Sequence, residues 1–443
     1  MASDLQSSAA LTEPSLPEVH SSVSVSRSPL YWRRLLGFLG PGFLISVGYM
    51  DPGNWATDIA GGSRFGYTLL FVIMLSNLMA ILLQSLSLKL GVATERDLAQ
   101  LCHENYGPRV SFALWVGAEI AIAACDLAEV IGSAIALNLL FHIPLFYGVL
   151  ITGLDVLLIL LLQRWGFRYI EALVIALIGT ILGMFSVQVF LSRPEYGPLL
   201  HSLFIPSHSI VTNSAMLYIA IGILGATVMP HNLYLHSSIV QSRRYKRTPE
   251  GKRDAIHLAN VDSALALTVA LFVNAGILIV AAAVFNRSGH LEVAAIEDAY
   301  KLLSPLLGAA GASTLFAVAL LASGQNSSIT GTLAGQVVME GFIHLKVSPW
   351  LRRLITRSLA IIPTIIVVVV NGEQGTEKLL ILSQVILSLQ LSFAVVPLVL
   401  FTGSRKKMGE FVNGRALQVV AWSTAVVIAG LNAWLLIQTA LGG

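Results

Sequence analysis

A chain of 443 residues that is 55% hydrophobic and only 12% charged, with a mean hydropathy of +0.77, is too apolar for a water-soluble globular protein. Its formal net charge of +3 is spread over several loops, which excludes the dense basic patch of a nucleic-acid binder. What remains is an all-α polytopic membrane protein whose surroundings are the lipid bilayer.

Met1 to Pro29 is rich in Ser, Pro and Glu and holds no apolar run long enough for a signal-peptide core. Residues 1–35 therefore read as a disordered cytoplasmic tail, and the first span acts as its own insertion signal. A span needs about 20 predominantly apolar residues. Eleven segments qualify: 36–61, 67–91, 109–138, 144–163, 168–191, 212–240, 262–286, 312–344, 353–371, 378–402 and 416–441. Between the fifth and sixth lies a linker, 192–211, expected to be extracellular, and residues 403–443 form a cytoplasmic loop and the last span. The two cysteines, Cys102 and Cys125, have neither metal-type nor redox-type spacing and read as ordinary thiols.

Basic residues mark the cytoplasmic side of a membrane protein. With the tail inside, 22 of the 27 Lys and Arg fall on that side and 5 on the other, so the N-terminus is expected in the cytoplasm and the C-terminus outside. Nothing in the sequence demands a second chain, and a monomer is expected.

Two spans are interrupted. Gly48-Tyr49-Met50-Asp51-Pro52-Gly53-Asn54 breaks the first, and Ala226-Thr227-Val228-Met229-Pro230-His231 breaks the sixth. Carboxylates and open backbone are costly in hydrocarbon and persist only around a protein-lined or watery site. The breaks are five spans apart, and an odd offset turns the second set upside down relative to the first. Residues 36–191 and 212–402 then form two inverted five-helix repeats, with helices 1 and 6 unwound at a site between them.

Pro52 cannot donate a backbone hydrogen bond and Gly53 disfavours helix, so Asp51 and Asn54 present oxygens beside freed carbonyls. Pro230 does the same in the sixth span, freeing the Ala226 carbonyl and placing Met229 at the open end. Oxygen-only cages suit Mg²⁺ and Ca²⁺, whereas an added thioether favours a first-row transition dication or Cd²⁺. The expected cargo is Mn²⁺ or Fe²⁺, with no resident cofactor and no enzymatic activity.

Glu119, Asp126 and Glu129 lie in the third span. At 100° per residue they share one face, Glu119 and Asp126 about 20° apart and Glu129 about 60° further round. A structural network with Arg352 or Arg353 is one reading of these acids, and a proton relay is the other. His231 and His236 are five residues apart, about 140° on the wheel, unlike the i, i+4 pair that grips zinc. His231 reads either as a titrating gate residue or as a satisfied core histidine. Asp58, Asp155, Glu171, Asp262 and Glu340 read as helix-end or packing groups, and Gly48, Gly53, Gly222 and Gly225 as hinges.

Asp51-Pro52-Gly53-Asn54 together with Met229-Pro230-His231 resembles the signature pair of the Nramp family of proton-coupled divalent-metal transporters, close to the bacterial manganese transporters. The resemblance extends to Asp126-Leu127-Ala128-Glu129, Leu351-Arg352-Arg353 and Ser383-Gln384-Val385. It implies a LeuT-like fold with an eleventh helix appended, import into the cytoplasm and proton coupling. It also implies Asp51, Asn54, Met229 and the Ala226 carbonyl as metal ligands, joined in other conformations by the Gly48 carbonyl and Gln384, with Asn432 a weaker candidate. Its proton route runs from Asp51 to Asp126 and on to Glu129, His236 and Arg353. The family often has twelve helices, and this chain has eleven candidates. Competing classes are a sodium-coupled amino-acid symporter of the same fold, an intramembrane metalloenzyme built on the two histidines, and a passive channel. The symporter needs a backbone platform for a carboxylate, and the metalloenzyme needs a third ligand and an activating Glu.

Overall fold

A computed structural model describes residues 14–26, 28–153, 166–293, 295–344, 348–371 and 373–440. Helices dominate it because long apolar stretches have to satisfy their backbone internally. After a short amphipathic helix, Tyr31–Phe38, the first span runs as Pro41–Ser46, a 3-10 turn Val47–Met50, and Pro52–Phe65. The second is Leu70–Thr94 and the third Pro108–Phe141. Of the expected fourth span only Leu145–Thr152 is described as helix, and Asp155 lies outside the described residues. The fifth is Phe167–Ser192, and the sixth is split into Ser214–Thr227 and Pro230–Ile239. Then come Pro249–Ala281, Ala312–Ile343, Pro349–Asn371, Glu373–Thr402 and Arg415–Ala440.

Among the described residues, seven helices are long and apolar enough to cross a membrane by length and composition alone. The eighth span is long enough but carries Ser323, Asn326, Ser327, Ser328 and Thr330 as a buried polar face. Large apolar side chains such as Phe190, 81% exposed, and Val370, 73% exposed, point outward, as a lipid-facing surface requires. The third span packs along the eighth, and the tenth lies against both the sixth and the third. The two interrupted helices are thereby enclosed by full-length ones.

Three features depart from the expected layout. The seventh helix starts at Pro249, well before 262, because Thr248 caps it through the Gly251 N–H (3.3 Å) and Pro249 suits a first turn. The linker 192–211 holds two short helices, Tyr196–Phe204 and Ser209–Thr212. The tail is not disordered throughout. Residues 14–26 fold back onto the body, Leu16 is 1% exposed, and Val23–Ser24 pairs in parallel with Arg243–Arg244. Low apolar content argued for disorder, but a strap with strand pairing needs only a few apolar anchors, here Leu16 and Val19.

Where this strap passes the start of the first span, a buried ionic knot holds the chain. Arg243 donates to Glu171 (2.8 Å) and to the carbonyls of Phe38 (3.2 Å) and Leu39 (2.9 Å). Asp262 accepts from the N–H groups of Gly40 (3.2 Å) and Gly42 (2.7 Å). Gly40 has φ 144°, and a side chain there would collide with Glu171 and Arg243.

Candidate metal site and acid network

The two helix breaks have one cause. A helical carbonyl at position i accepts from the N–H at i+4, and for Gly48 and Ala226 that position is Pro52 and Pro230, which have none. Each proline then starts a new helix at its first turn, behind an extended Asp51 (φ −70°, ψ 166°) and an extended Met229 (φ −79°, ψ 126°). Other freed carbonyls of the first break are taken up by side chains. Asn274 donates to Tyr49 O (2.8 Å), Trp55 Nε1 to Met50 O (3.3 Å), and Ser323 also to Met50 O.

Asp51 caps the second half-helix, Oδ1 accepting from the Asn54 N–H at 2.8 Å. Its other oxygen, Asn54 Oδ1 and Gln384 Oε1 are buried without a hydrogen-bond partner. What sets these three apart from other unpaired buried groups is their place, at or over the first helix break. Gln384 lies directly over the first break, so close that a Cβ on Gly53 would fall 1.8 Å from its Nε2. Met229 comes in from the sixth span: a Cβ on Gly48 would stand 3.2 Å from its Sδ and 2.4 Å from Asn232 Nδ2. Asp51, Asn54 and Gln384 are thus at the first break and Met229 approaches it at Gly48, all fully buried. Asn432 is otherwise engaged, with Nδ2 on Ser388 O (2.6 Å) and Oδ1 accepting from the Ser388 hydroxyl (2.8 Å).

A second cluster joins the third, eighth and ninth spans. Arg357, 3% exposed, lies 3.3 Å from Glu129 Oε2 and 3.9 Å from Asp126 Oδ1, and its guanidinium donates to Ser328. Ser328 in turn donates to Glu129 Oε2 at 3.0 Å, and Cys125 Sγ to Glu129 Oε1 at 3.5 Å. The expected partners Arg352 and Arg353 have side chains outside the described residues. Glu119 is half-buried and accepts from Trp115 Nε1 (3.2 Å) one turn away.

The histidines behave differently from each other. His236 Nδ1 pairs with Gln84 Oε1 (2.9 Å), and Gln84 Nε2 donates to the Tyr49 hydroxyl (2.7 Å), linking the sixth span to the first break. His231 is fully buried, and neither ring nitrogen is hydrogen-bonded to a described residue. Among the described residues no group of three or more His, Cys, Asp and Glu is placed to hold a metal. The four glycines read as hinges are points of close packing: Gly225 faces Gln384 O and Ser388, and Gly222 faces Thr57.

Sequence reasoning missed Arg357, Gln84 and Cys125. Arg357 lies inside residues 353–371, one turn past Arg353, and is itself an intramembrane charge that the tally of basic residues by side passes over. Cys125, read as an ordinary thiol, is packed with Met229, Ala121 and Leu387 and so joins the metal site to the acid cluster.

Residues 42–438 match the family described as "Natural resistance-associated macrophage protein-like", Nramp. The chain is 62% identical over 429 residues to a "Divalent metal cation transporter MntH" of Nostoc sp., covering 97% of both chains. It is 61% identical to the protein of that name in Mesorhizobium japonicum, covering 97% of this chain and 95% of the relative. A crystal structure of the Eremococcus coleocola manganese transporter superposes with a TM-score of 0.88 at 45% identity, covering 95% of this chain and 90% of that one. Mhp1, a nucleobase-cation-symport-1 family transporter, shares the fold with a TM-score of 0.60 at 15% identity, covering 90% of this chain and 91% of that one. With two proline-broken helices meeting over one buried donor set, and matches of this extent, the chain belongs to the Nramp family of multi-pass membrane transporters.

Proposed function

We propose that the chain is a secondary-active importer of divalent transition-metal ions, Mn²⁺ foremost with Fe²⁺ and Cd²⁺ also carried, driven by proton flux through alternating access. The observation that carries this reading is the convergence of unpartnered Asp51, Asn54 and Gln384 oxygens with the Met229 thioether at two helix breaks. The relatives named as divalent metal cation and manganese transporters support the same cargo. Hard oxygens hold the charge of the dication, and the sulfur selects against Ca²⁺ and Mg²⁺. The Ala226 and Gly48 carbonyls complete the set, since neither has an i+4 donor. A carboxylate platform for an amino acid is a poor description of this donor set.

A dication at Asp51 disfavours protonation of that carboxylate, and the proton is handed on toward Asp126 and Glu129, the acids that Arg357 faces. His231, His236, Arg352, Arg353 and Glu119 belong to the same route in this reading, with His236 joined to the first break through Gln84 and Tyr49. Two inverted repeats, 36–191 and 212–402, rock about the breaks. The basic-residue bias puts the N-terminus in the cytoplasm and the C-terminus outside the plasma membrane. Every donor comes from one chain, which works as a monomer.

The test is Mn²⁺ uptake into proteoliposomes with internal pH followed at the same time. An acid-outside gradient drives Mn²⁺ above equilibrium while protons enter, and Asp51→Ala abolishes both fluxes. Mn²⁺ flux indifferent to the gradient, or unchanged in Asp51→Ala, overturns the reading.

A further inference from the structure

The strap formed by residues 14–26 is used by nothing described so far. It runs across the ends of several spans at the basic-residue-rich end of the molecule. The Leu16 N–H donates to Glu340 Oε2 (2.9 Å), and Gln336 Nε2 donates to Glu18 Oε1 (3.3 Å), fastening the strap to the eighth span. On its other side the Ser21 N–H donates to Gln241 O (2.9 Å), Arg244 Nη2 donates to Ser21 O (3.1 Å), and Val23 and Ser24 pair with Arg243 and Arg244. These last partners directly follow Pro230–Ile239, the half-helix beyond the Met229 break. Val25 lies against Gly37 in the short helix Tyr31–Phe38 that leads into the first span, 3.3 Å from where a Cβ would stand. One short segment therefore ties the helix before the first span and the stretch just after the sixth span's second half-helix to the unbroken eighth span.

The strap is seated rather than laid on the surface. Leu16 and Val19 are buried, at 1% and 7% exposure, and Leu16 joins the main core. Leu16 and Ser21 adopt left-handed backbone (φ 54° and 53°), which L-residues avoid unless surrounding contacts hold them. A cavity of about 520 Å³ beside it, lined by Val19, Val23, Phe167, Arg168 and Leu333, leaves room for the segment to shift. Any hinge motion at Asp51 and Met229 that parts the near half-helices from the eighth span breaks these contacts.

We infer that residues 14–26 form an intramolecular latch that occupies a groove between the sixth and eighth spans and holds the cytoplasmic side shut, so that its release limits delivery of cargo. The transport consequence rests on the importer reading above. The latch itself is testable without transport.

Two full-length variants test it. Leu16→Asp with Val19→Asp puts carboxylates into the core positions and unseats the strap. Hydrogen exchange read by mass spectrometry then shows faster exchange at 14–26 and also at 230–244, and Mn²⁺ turnover rises about threefold with KM unchanged. In the opposite direction, Val19→Cys with Leu333→Cys places two thiols on one cavity, away from the buried Cys102 and Cys125. Oxidation lowers Mn²⁺ uptake to roughly a tenth, and a reductant restores it. Unchanged exchange at 230–244 when the strap is unseated, or full uptake by the cross-linked protein, overturns the latch. If neither variant nor wild type carries Mn²⁺ but exchange at 230–244 still responds, the importer reading fails and the latch stands.

Discussion

At the scale of single residues, the proposed role of the Met229 sulfur in choosing ions is open to direct test. Met229→Ala leaves the oxygens of Asp51 and Asn54 in place and removes the only soft donor among the proposed ligands. Mn²⁺ transport persists, Ca²⁺ or Mg²⁺ enters more readily, and Cd²⁺ affinity falls roughly tenfold, about 1.4 kcal/mol. Competition fluxes in liposomes check this, and unchanged discrimination contradicts the role of the sulfur. Arg357 poses a different question. Removing one partner of a buried ion pair strands the other charge and costs about 3–5 kcal/mol. Arg357→Met should therefore lower resistance to heating, and adding Glu129→Gln should restore it. The double variant stays uncoupled, carrying Mn²⁺ without proton flux if at all. A double variant that couples normally removes this pair from the proton route. Asp51, Asn54 and Met229 were legible because a polar or soft residue next to a proline in an apolar span has few structural excuses. Arg357 and Cys125 were not, because a basic residue near a helix end and a thiol in a helix have many.

At the scale of elements, proline placement set the breaks, and glycine placement set how near other elements approach them. The clashes at Gly53 and Gly225 differ in kind. An alanine at 53 meets the Gln384 side chain, while an alanine at 225 meets the Gln384 carbonyl at 2.0 Å and Ser388 N at 2.7 Å. Side chains move and paired backbone does not. Gly53→Ala should lose folded yield that Gln384→Ala partly restores, whereas Gly225→Ala should lose it in either background. Equal rescue of both, measured as monodisperse protein after solubilisation, would sink this distinction. Span positions were legible from hydropathy and breaks from Pro52 and Pro230. The seventh helix start was not, since its first turns are polar and hydropathy is blind to a helix that extends into water. The strap was also illegible: Leu16, Val19, Val23 and Val25 form no run that composition rules detect.

At the scale of the whole molecule, the odd spacing of the two breaks is what argues for inverted repeats, because it fixes the relative direction of the helices on either side. Pairings between distant spans, such as Glu129 with Arg357 or Arg243 with Glu171, could not be read that way, since they depend on helix rotation that periodicity leaves free. The stranded oxygens of Asp51, Asn54 and Gln384 have one more consequence. A protein interior that leaves hydrogen-bonding capacity idle is dearer to maintain than one that uses it. A dication held at the proposed site would supply those missing partners, so the passenger would double as a piece of the architecture, and Mn²⁺ should slow hydrogen exchange around both breaks each time the carrier loads.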